Sequence, residues 1–162
     1  MKDYVIITPA HNEAAHLERT IQSVLAQTQR PVRWVIANDN SSDQTAAIAE
    51  RYAETWHFIK PINIKRDGSR GFNNKARAFN AAVAVLQDAN YDLIGNVDAD
   101  VSFEPCYFAN LVRAFEEDPR LGITGGSIHT KIGDRFVSHD ETLDSVAGAV
   151  QLFRKKCFAD VG

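Results

Sequence analysis

Short apolar runs alternate with amphipathic stretches along this chain of 162 residues. Tyr4-Val5-Ile6-Ile7-Thr8 reads as a first strand, which Pro9 is expected to stop because proline donates nothing to a ladder. After a polar turn, Leu17, Ile21, Val24 and Leu25 recur at helical spacing, and Gln27-Thr28-Gln29-Arg30-Pro31 closes that helix. A second strand over 32–37 runs into Asn38-Asp39-Asn40-Ser41-Ser42-Asp43. Ser41 and Gln44 have the spacing of a capping box, which predicts a second helix from about residue 42 to 55.

His57-Phe58-Ile59 and Ile62-Asn63-Ile64 predict a third strand interrupted by Pro61. From 73 to about 89, Ala76, Phe79, Val83 and Leu86 mark one face of a third helix. Leu93-Ile94-Gly95-Asn96-Val97 is a fourth strand, and it delivers Asp98-Ala99-Asp100 at its exit. Pro105 suits the first position of a fourth helix striped by Phe108, Leu111, Val112 and Phe115. Residues 121–128 predict another strand, whose glycines mark either a bend or the approach of a ligand. Residues 131–147 are polar and irregular, 150–153 suit a short strand, and 155–161 start a helix.

Alternating strands and helices predict a doubly wound, Rossmann-like α/β fold, a mainly parallel sheet with helices on both faces. No repeat, linker or low-complexity tract divides the chain, so residues 1–162 are read as a single domain.

Composition adds exclusions. With 44% hydrophobic and 24% charged residues, the chain is ordinary for a globular protein, and no apolar run approaches the roughly 20 residues of a membrane-spanning helix. Met1-Lys2-Asp3 leads directly into a strand without a secretory signal, so a cytoplasmic protein is expected. Cys106 and Cys157 lack metal-type spacing and read as reduced thiols. A net charge of −3 argues against nucleic acid as a partner. Locally the picture reverses: Lys60, Lys65, Arg66, Arg70, Lys75 and Arg77 face a single acid, Asp67, and Gly68 and Gly71 loosen the backbone between them. Such a loop suits a small polyanion, and equally a solvated surface.

Three polar clusters leave strand ends: His11 with Glu13, Asp39 with Asp43, and Asp98 with Asp100. Open α/β sheets bind ligands at the carboxyl ends of their strands. Two carboxylates one residue apart repel unless a cation sits between them, and a hard divalent ion carrying phosphate oxygens is the usual solution. A nucleotide fits this set. The phosphate-cradling G-x-G-x-x-G and G-x-x-x-x-G-K-[ST] patterns and the zinc pattern H-E-x-x-H are missing, which argues against a Rossmann dehydrogenase, a P-loop enzyme and a zinc protease. Plainer roles exist for the same residues: Asp43 as a helix-start carboxylate, His11 as a turn residue, Glu13 as the complement of a helix start, and Asp98 and Asp100 as a solvated strand end. His129, His139 and Asp140 are read as surface.

Val5-Ile6-Ile7-Thr8-Pro9-Ala10-His11-Asn12-Glu13, Ser23-Val24-Leu25-Ala26-Gln27-Thr28, Val35-Ile36-Ala37-Asn38-Asp39-Asn40-Ser41-Ser42-Asp43-Gln44-Thr45 and Asp98-Ala99-Asp100 together resemble the family 2 glycosyltransferases of the GT-A fold, in order and spacing as well as in type. The resemblance covers roughly residues 4–130, and 148–162 resemble the region before the family's acceptor-side motif. It implies a donor nucleotide site formed by Pro9, Ala10, His11, Glu13, Asp39, Lys75 and Asp98. It also implies a divalent cation, Mg²⁺ or Mn²⁺, on Asp98 and Asp100, with Asn74 and Arg77 as alternatives to Lys75 near the phosphates. The implied reaction is inverting transfer of a sugar from a nucleoside diphosphate, UDP first, to a hydroxyl of a glycan, lipid or protein acceptor. Membrane association on the acceptor side is common in such families, which places a full-length protein at the inner face of a membrane.

One departure stands out. The family's catalytic base belongs to a Glu-Asp pair beyond the D-x-D, whereas Asp140-Glu141 reverses the order and Glu117-Asp118 closes a helix. The expectation is a donor-binding portion, truncated on the C-terminal side, whose base is missing. Two rivals remain: a non-catalytic sugar-nucleotide-binding module, and a haloacid-dehalogenase-like phosphatase using Asp98-Ala99-Asp100. The phosphatase motif normally opens its domain, and here the strand is the fourth.

Overall fold

The computed structural model describes residues 2–64, 74–138 and 146–161. In chain order these form β1 (Tyr4–Ala10), α1 (Leu17–Leu25), β2 (Arg33–Asp39), α2 (Thr45–Thr55), β3 (Ile59–Ile64), α3 (Asn74–Ala84), β4 (Leu93–Val97) and α4 (Tyr107–Glu117). Then follow β5 (Ile123–Thr124), β6 (His129–Ile132), β7 (Arg135–Ser138), β8 (Val150–Arg154) and α5 (Lys155–Val161). Six strands make one sheet in the order β3-β2-β1-β4-β8-β5, and β6 and β7 pair as a separate hairpin.

The sheet separates two apolar layers, as strand alternation requires. On one face Tyr4, Ile6, Trp34, Ile36 and Leu93 meet Leu17, Ile21 and Val24 of α1, Ala49 of α2, and Phe108, Leu111, Val112 and Phe115 of α4. On the other, Val5, Ile7, Val35, Ala37 and Ile94 meet Ala78, Ala82 and Leu86, with Phe158 of α5 packed at the margin. The expected α/β fold with helices on both faces is therefore present. Its parallel part is β3-β2-β1-β4, and β8 runs antiparallel between β4 and β5. Arg154 at the end of β8 fastens that edge: its guanidinium donates to the carbonyls of Leu121, Phe115 and Asp118 at 3.0, 3.0 and 3.2 Å.

Several expectations change in detail. Pro9 does not stop β1, which continues to Ala10 with Pro9 opposite Ala37 on β2. The pairing of β1 with β4 ends at Ile7, so a residue without an N–H is accommodated where β1 has a ladder on one side only. Pro61 does not interrupt β3 for a related reason: β3 is the sheet's edge and pairs with β2 alone. On α3 the buried residues are Ala78 and Ala82, with Leu86 buried in the turn just beyond it, while Phe79 and Val83 flank them and Ala76 is exposed. Small side chains at i and i+4 let the helix sit directly on the sheet, a pattern that a search for bulky residues misses. Helix α4 begins at Tyr107 rather than Pro105, whose carbonyl instead accepts the Thr28 N–H.

Strand β5 is only two residues long, and Gly125 and Gly126 after it make room for protein groups rather than a ligand. A Cβ on Gly125 would lie 2.6 Å from Val146 Cγ1, and one on Gly126 would lie 2.5 Å from the Tyr107 ring. The β6–β7 hairpin occupies a segment read as irregular; the short strands turn at Gly133, whose φ is +61°. The basic loop (Lys65, Arg66, Asp67, Gly68, Arg70, Gly71) lies outside the described residues, as do His139, Asp140 and Glu141.

Candidate functional site

β1 continues to β2 and β3 on one side, while β4 lies on its other side. The chain therefore reverses direction across the sheet between β1 and β4, which is the switch point where open α/β sheets form a crevice at the carboxyl ends of their strands. Pro9 and Ala10 end β1, Asp39 ends β2 and Asp98 follows β4 directly, so the three predicted clusters all leave the sheet at this edge.

The turn after β1 is sewn to the turn after β2. His11 Nδ1 donates to the carbonyl of Asp39 at 2.7 Å. A carbonyl only accepts, so the proton sits on Nδ1 and Nε2 is the acceptor in the neutral ring. Asn12 takes a left-handed conformation (φ 57°), as does Asn40 (φ 53°), both tolerable for asparagine. Asn12 N–H donates to Ser41 Oγ at 2.9 Å, and its Oδ1 accepts the Ser42 N–H at 2.8 Å. One step on, Glu13 N–H donates to Thr45 Oγ1 at 2.8 Å, and that hydroxyl donates to Asp43 Oδ1 at 2.5 Å. Asp43 also accepts the Ala14 and Thr45 N–H groups, each at 3.0 Å. These bonds correct the expected capping box: α2 starts at Thr45, Asp43 serves its first turn, and the Ser41 hydroxyl serves Asn12. Asp43 thus fills the plainer structural role.

Asp39 is buried at 7% exposure. Its neighbour Asn38 donates to Asn63 Oδ1 on β3 at 2.7 Å, and Asn63 donates to Glu50 of α2 at 3.2 Å, so the ends of β2 and β3 form a polar floor beside it. Spacing marks Ser41 for a capping bond it does not make and assigns no role of their own to Asn12, Asn38, Thr45 or Asn63; paired asparagines at strand exits are the one signal that could have found the last group.

Across the switch point, Asp98 is half-buried and Asp100 exposed, while Ala99 between them is inserted in the core at 4% exposure. Residues 99 and 100 form a turn just past β4, and the buried Ala99 side chain anchors it between the two aspartates. Glu13 completes the geometry. Burial pushes its carboxyl up first and the nearby charge of Asp100 adds to that; His16 opposes the shift, and Asp43 and Asp98 add less. Carboxylates from the exits of β1 and β4 therefore sense one another across the crevice. Lys75 lies in the first turn of α3, and its side chain is outside the described part.

Among the described residues no group of three or more His, Cys, Asp or Glu side chains forms a ready metal cage. Asp98 and Asp100 could hold a hard divalent cation that takes its remaining oxygens from phosphate and water, rather than a fully protein-coordinated ion.

The sequence profile of Glycosyl transferase family 2 matches residues 5–159. This chain belongs to that family. As a family 2 chain it is 26% identical, over its full length, to poly-beta-1,6-N-acetyl-D-glucosamine synthase of Staphylococcus aureus (strain COL), of which it spans 42%. It is 30% identical to the probable glycosyltransferase YdaM of Bacillus subtilis (strain 168), over 75% of this chain and 28% of that protein. Its fold resembles the mannosyltransferase PcManGT of Pyrobaculum calidifontis, solved with GDP-Man and Mn²⁺, at a TM-score of 0.71 and 20% identity, covering all of this chain and 49% of that one. It also resembles S. aureus TarS 1-349 in complex with UDP-GlcNAc, at a TM-score of 0.64 and 18% identity, covering 98% of this chain and 47% of that one. The GT-A architecture expected for a family 2 chain is the one observed. Family membership also displaces the phosphatase reading of Asp98 and Asp100.

Proposed function

We propose that this chain is the donor-binding part of a glycosyltransferase that moves a sugar from a nucleoside diphosphate, UDP first, to a hydroxyl acceptor. The observation that carries this reading is that the exits of β1 and β4, which bear Glu13, Asp98 and Asp100, meet at the switch point of the sheet; burial first, and then Asp100, push the Glu13 carboxyl up there. Their accumulated negative charge suits a site that takes a cation and a diphosphate together. Asp98 and Asp100 would hold Mg²⁺ or Mn²⁺, which when bound neutralises the diphosphate and makes it a better leaving group.

The chain's own residues divide the remaining work. The His11-Asn12 turn and Asp39 form the wall facing the base and ribose, because carboxylates and carbonyls accept from base N–H and ribose hydroxyl groups. The stitched turns hold that wall in place before the donor arrives, which lowers the ordering cost of binding. Pro9 and Ala10 form its floor, Glu13 lines the crevice towards the phosphates, and Lys75 stands on α3 as the cation for them. The neighbours solved with GDP-Man and Mn²⁺ and with UDP-GlcNAc support the reading, since the same fold carries such donors there. Inversion at the anomeric carbon and a glycan, lipid or protein acceptor complete the proposal. A non-catalytic binding module would share all of these contacts and differ only in lacking turnover.

Thermal unfolding in the presence of UDP, GDP and ADP, each with and without Mn²⁺, tests this directly. Ligands that bind only the folded state raise its stability by mass action. UDP with Mn²⁺ is expected to raise the melting temperature more than either alone; no shift with any nucleotide would overturn the reading.

A further inference from the structure

The D-x-D segment is held from below by a helix that carries none of the predicted site residues. Thr20 lies in the middle of α1 and is fully buried. A threonine inside a helix commonly turns its hydroxyl back on the carbonyl four residues earlier. Here the single hydroxyl proton crosses to another element: Thr20 Oγ1 donates to the carbonyl of Ala99 at 2.7 Å, in a buried bond spanning 79 residues of sequence.

The acceptor's position gives this bond its meaning. Peptide groups are planar, so the Ala99 carbonyl shares one rigid plane with the Asp100 nitrogen and Cα. Fixing that carbonyl fixes the plane from which the Asp100 carboxylate projects. On the other side of Ala99, the Asp98 N–H donates to the Ala149 carbonyl at 2.9 Å. The two aspartates are therefore pinned on both sides, one link through β8's approach and one through α1. Further along the same segment Gln27, just past α1, donates to the Glu104 carbonyl at 2.8 Å and accepts the Phe108 N–H at 3.1 Å. Helix α1 and the turn that follows it thus hold both ends of the connection from β4 to α4.

We propose that Thr20 is a positioning residue of the metal site: its hydroxyl, by holding the Ala99 carbonyl, aims the Asp100 carboxylate at the cation. This rests on the assignment of Asp98 and Asp100 as metal ligands under the proposed function. A hydroxyl that only stabilised the core would contribute to folding and leave metal affinity alone. A group that orients a ligand changes metal affinity itself, typically by about 10- to 100-fold on removal.

The experiment measures UDP affinity by calorimetry with and without Mn²⁺, well below the melting temperature, for the wild type, Thr20→Val, Thr20→Ser, Val24→Ala and Asp100→Ala. Val24 is fully buried on the same helix and serves as the stability control. Thr20→Val keeps the shape and removes the hydroxyl. It is expected to lose about tenfold of the Mn²⁺ enhancement of UDP binding while UDP affinity without metal stays within about twofold. Thr20→Ser restores the hydroxyl and is expected to restore the enhancement; Val24→Ala is expected to lower the melting temperature and leave the enhancement intact. If valine at this position prevents folding, Thr20→Cys, with its weak thiol donor, gives the same comparison against serine.

A Thr20→Val protein with a lowered melting temperature and full Mn²⁺ enhancement overturns the proposal, as does a Thr20→Ser protein no better than Thr20→Val. Asp100→Ala separates the two levels of inference. If it keeps the enhancement, the metal-site assignment fails; if it loses the enhancement while Thr20→Val does not, only the positioning role fails.

Discussion

His11 Nδ1 and the main-chain carbonyl of Asp39 lie 2.7 Å apart, joining the exits of β1 and β2 by one hydrogen bond. The bond fixes which imidazole nitrogen carries the proton and ties the turn to the main chain of the buried Asp39. His11→Ala should loosen this wall, not the metal side of the crevice. We expect UDP affinity to fall about three- to tenfold, the value of one hydrogen bond of about 1 kcal/mol, with the Mn²⁺ enhancement unchanged. Calorimetry on the variant checks both; an equal loss of metal dependence would place His11 elsewhere in the mechanism.

Glu13 makes a prediction in pH. Its carboxyl is raised above the ordinary value, first by burial and then by Asp100, Asp43 and Asp98. A carboxyl raised in the folded state favours folding at low pH, and that advantage is lost as pH rises through its folded pKa. Glu13→Gln removes the charge responsible. The variant should be more stable than wild type at pH 7 and lose that advantage near pH 3.5, read as denaturant midpoints at the two pH values.

Asp43 has the opposite sign. The Thr45 hydroxyl, ahead of the main-chain N–H groups of Thr45 and Ala14, holds its carboxyl below the ordinary value. Stability from such a group is present above its unfolded pKa and is lost as pH falls through the folded one. Asp43→Asn should therefore lower the melting temperature at pH 7, and the difference from wild type should shrink on acidification. A constant difference between pH 7 and pH 3 would mean that the carboxylate charge contributes nothing.

Gly126 tests the packing of the β5 exit against the start of α4. Its N–H donates to the Tyr107 hydroxyl at 2.8 Å, and a Cβ there would meet the Tyr107 ring at 2.5 Å. Gly126→Ala must push the ring aside and lose the bond, a loss we place at about 1–3 kcal/mol. The paired change Gly126→Ala with Tyr107→Leu should recover part of it in denaturant titrations, because the smaller side chain vacates the space.

Much of this fold is visible in the pattern of residues because each long element satisfies one period throughout. The α4 stripe of Phe108, Leu111, Val112 and Phe115 is buried as its spacing demands. The readings that failed each depended on something outside the local pattern. Pro9 and Pro61 sit inside strands because of which neighbours those strands lack, and α3 buries alanines because it lies close on the sheet. At the site, the charged residues announced themselves through their positions at strand exits. The groups that hold them, Thr45 on Asp43 and Thr20 on Ala99, did not, because their partners lie two and 79 residues away with no period to connect them.

The central claim is that Asp100 and Asp98 hold a divalent cation for a nucleoside diphosphate. Calorimetric titration of UDP into wild type and Asp100→Ala, with and without Mn²⁺, tests it most directly. The account predicts that Mn²⁺ strengthens UDP binding to the wild type and that Asp100→Ala abolishes the strengthening, a loss of about tenfold or more. Equal metal-dependent affinity in the two proteins would contradict it.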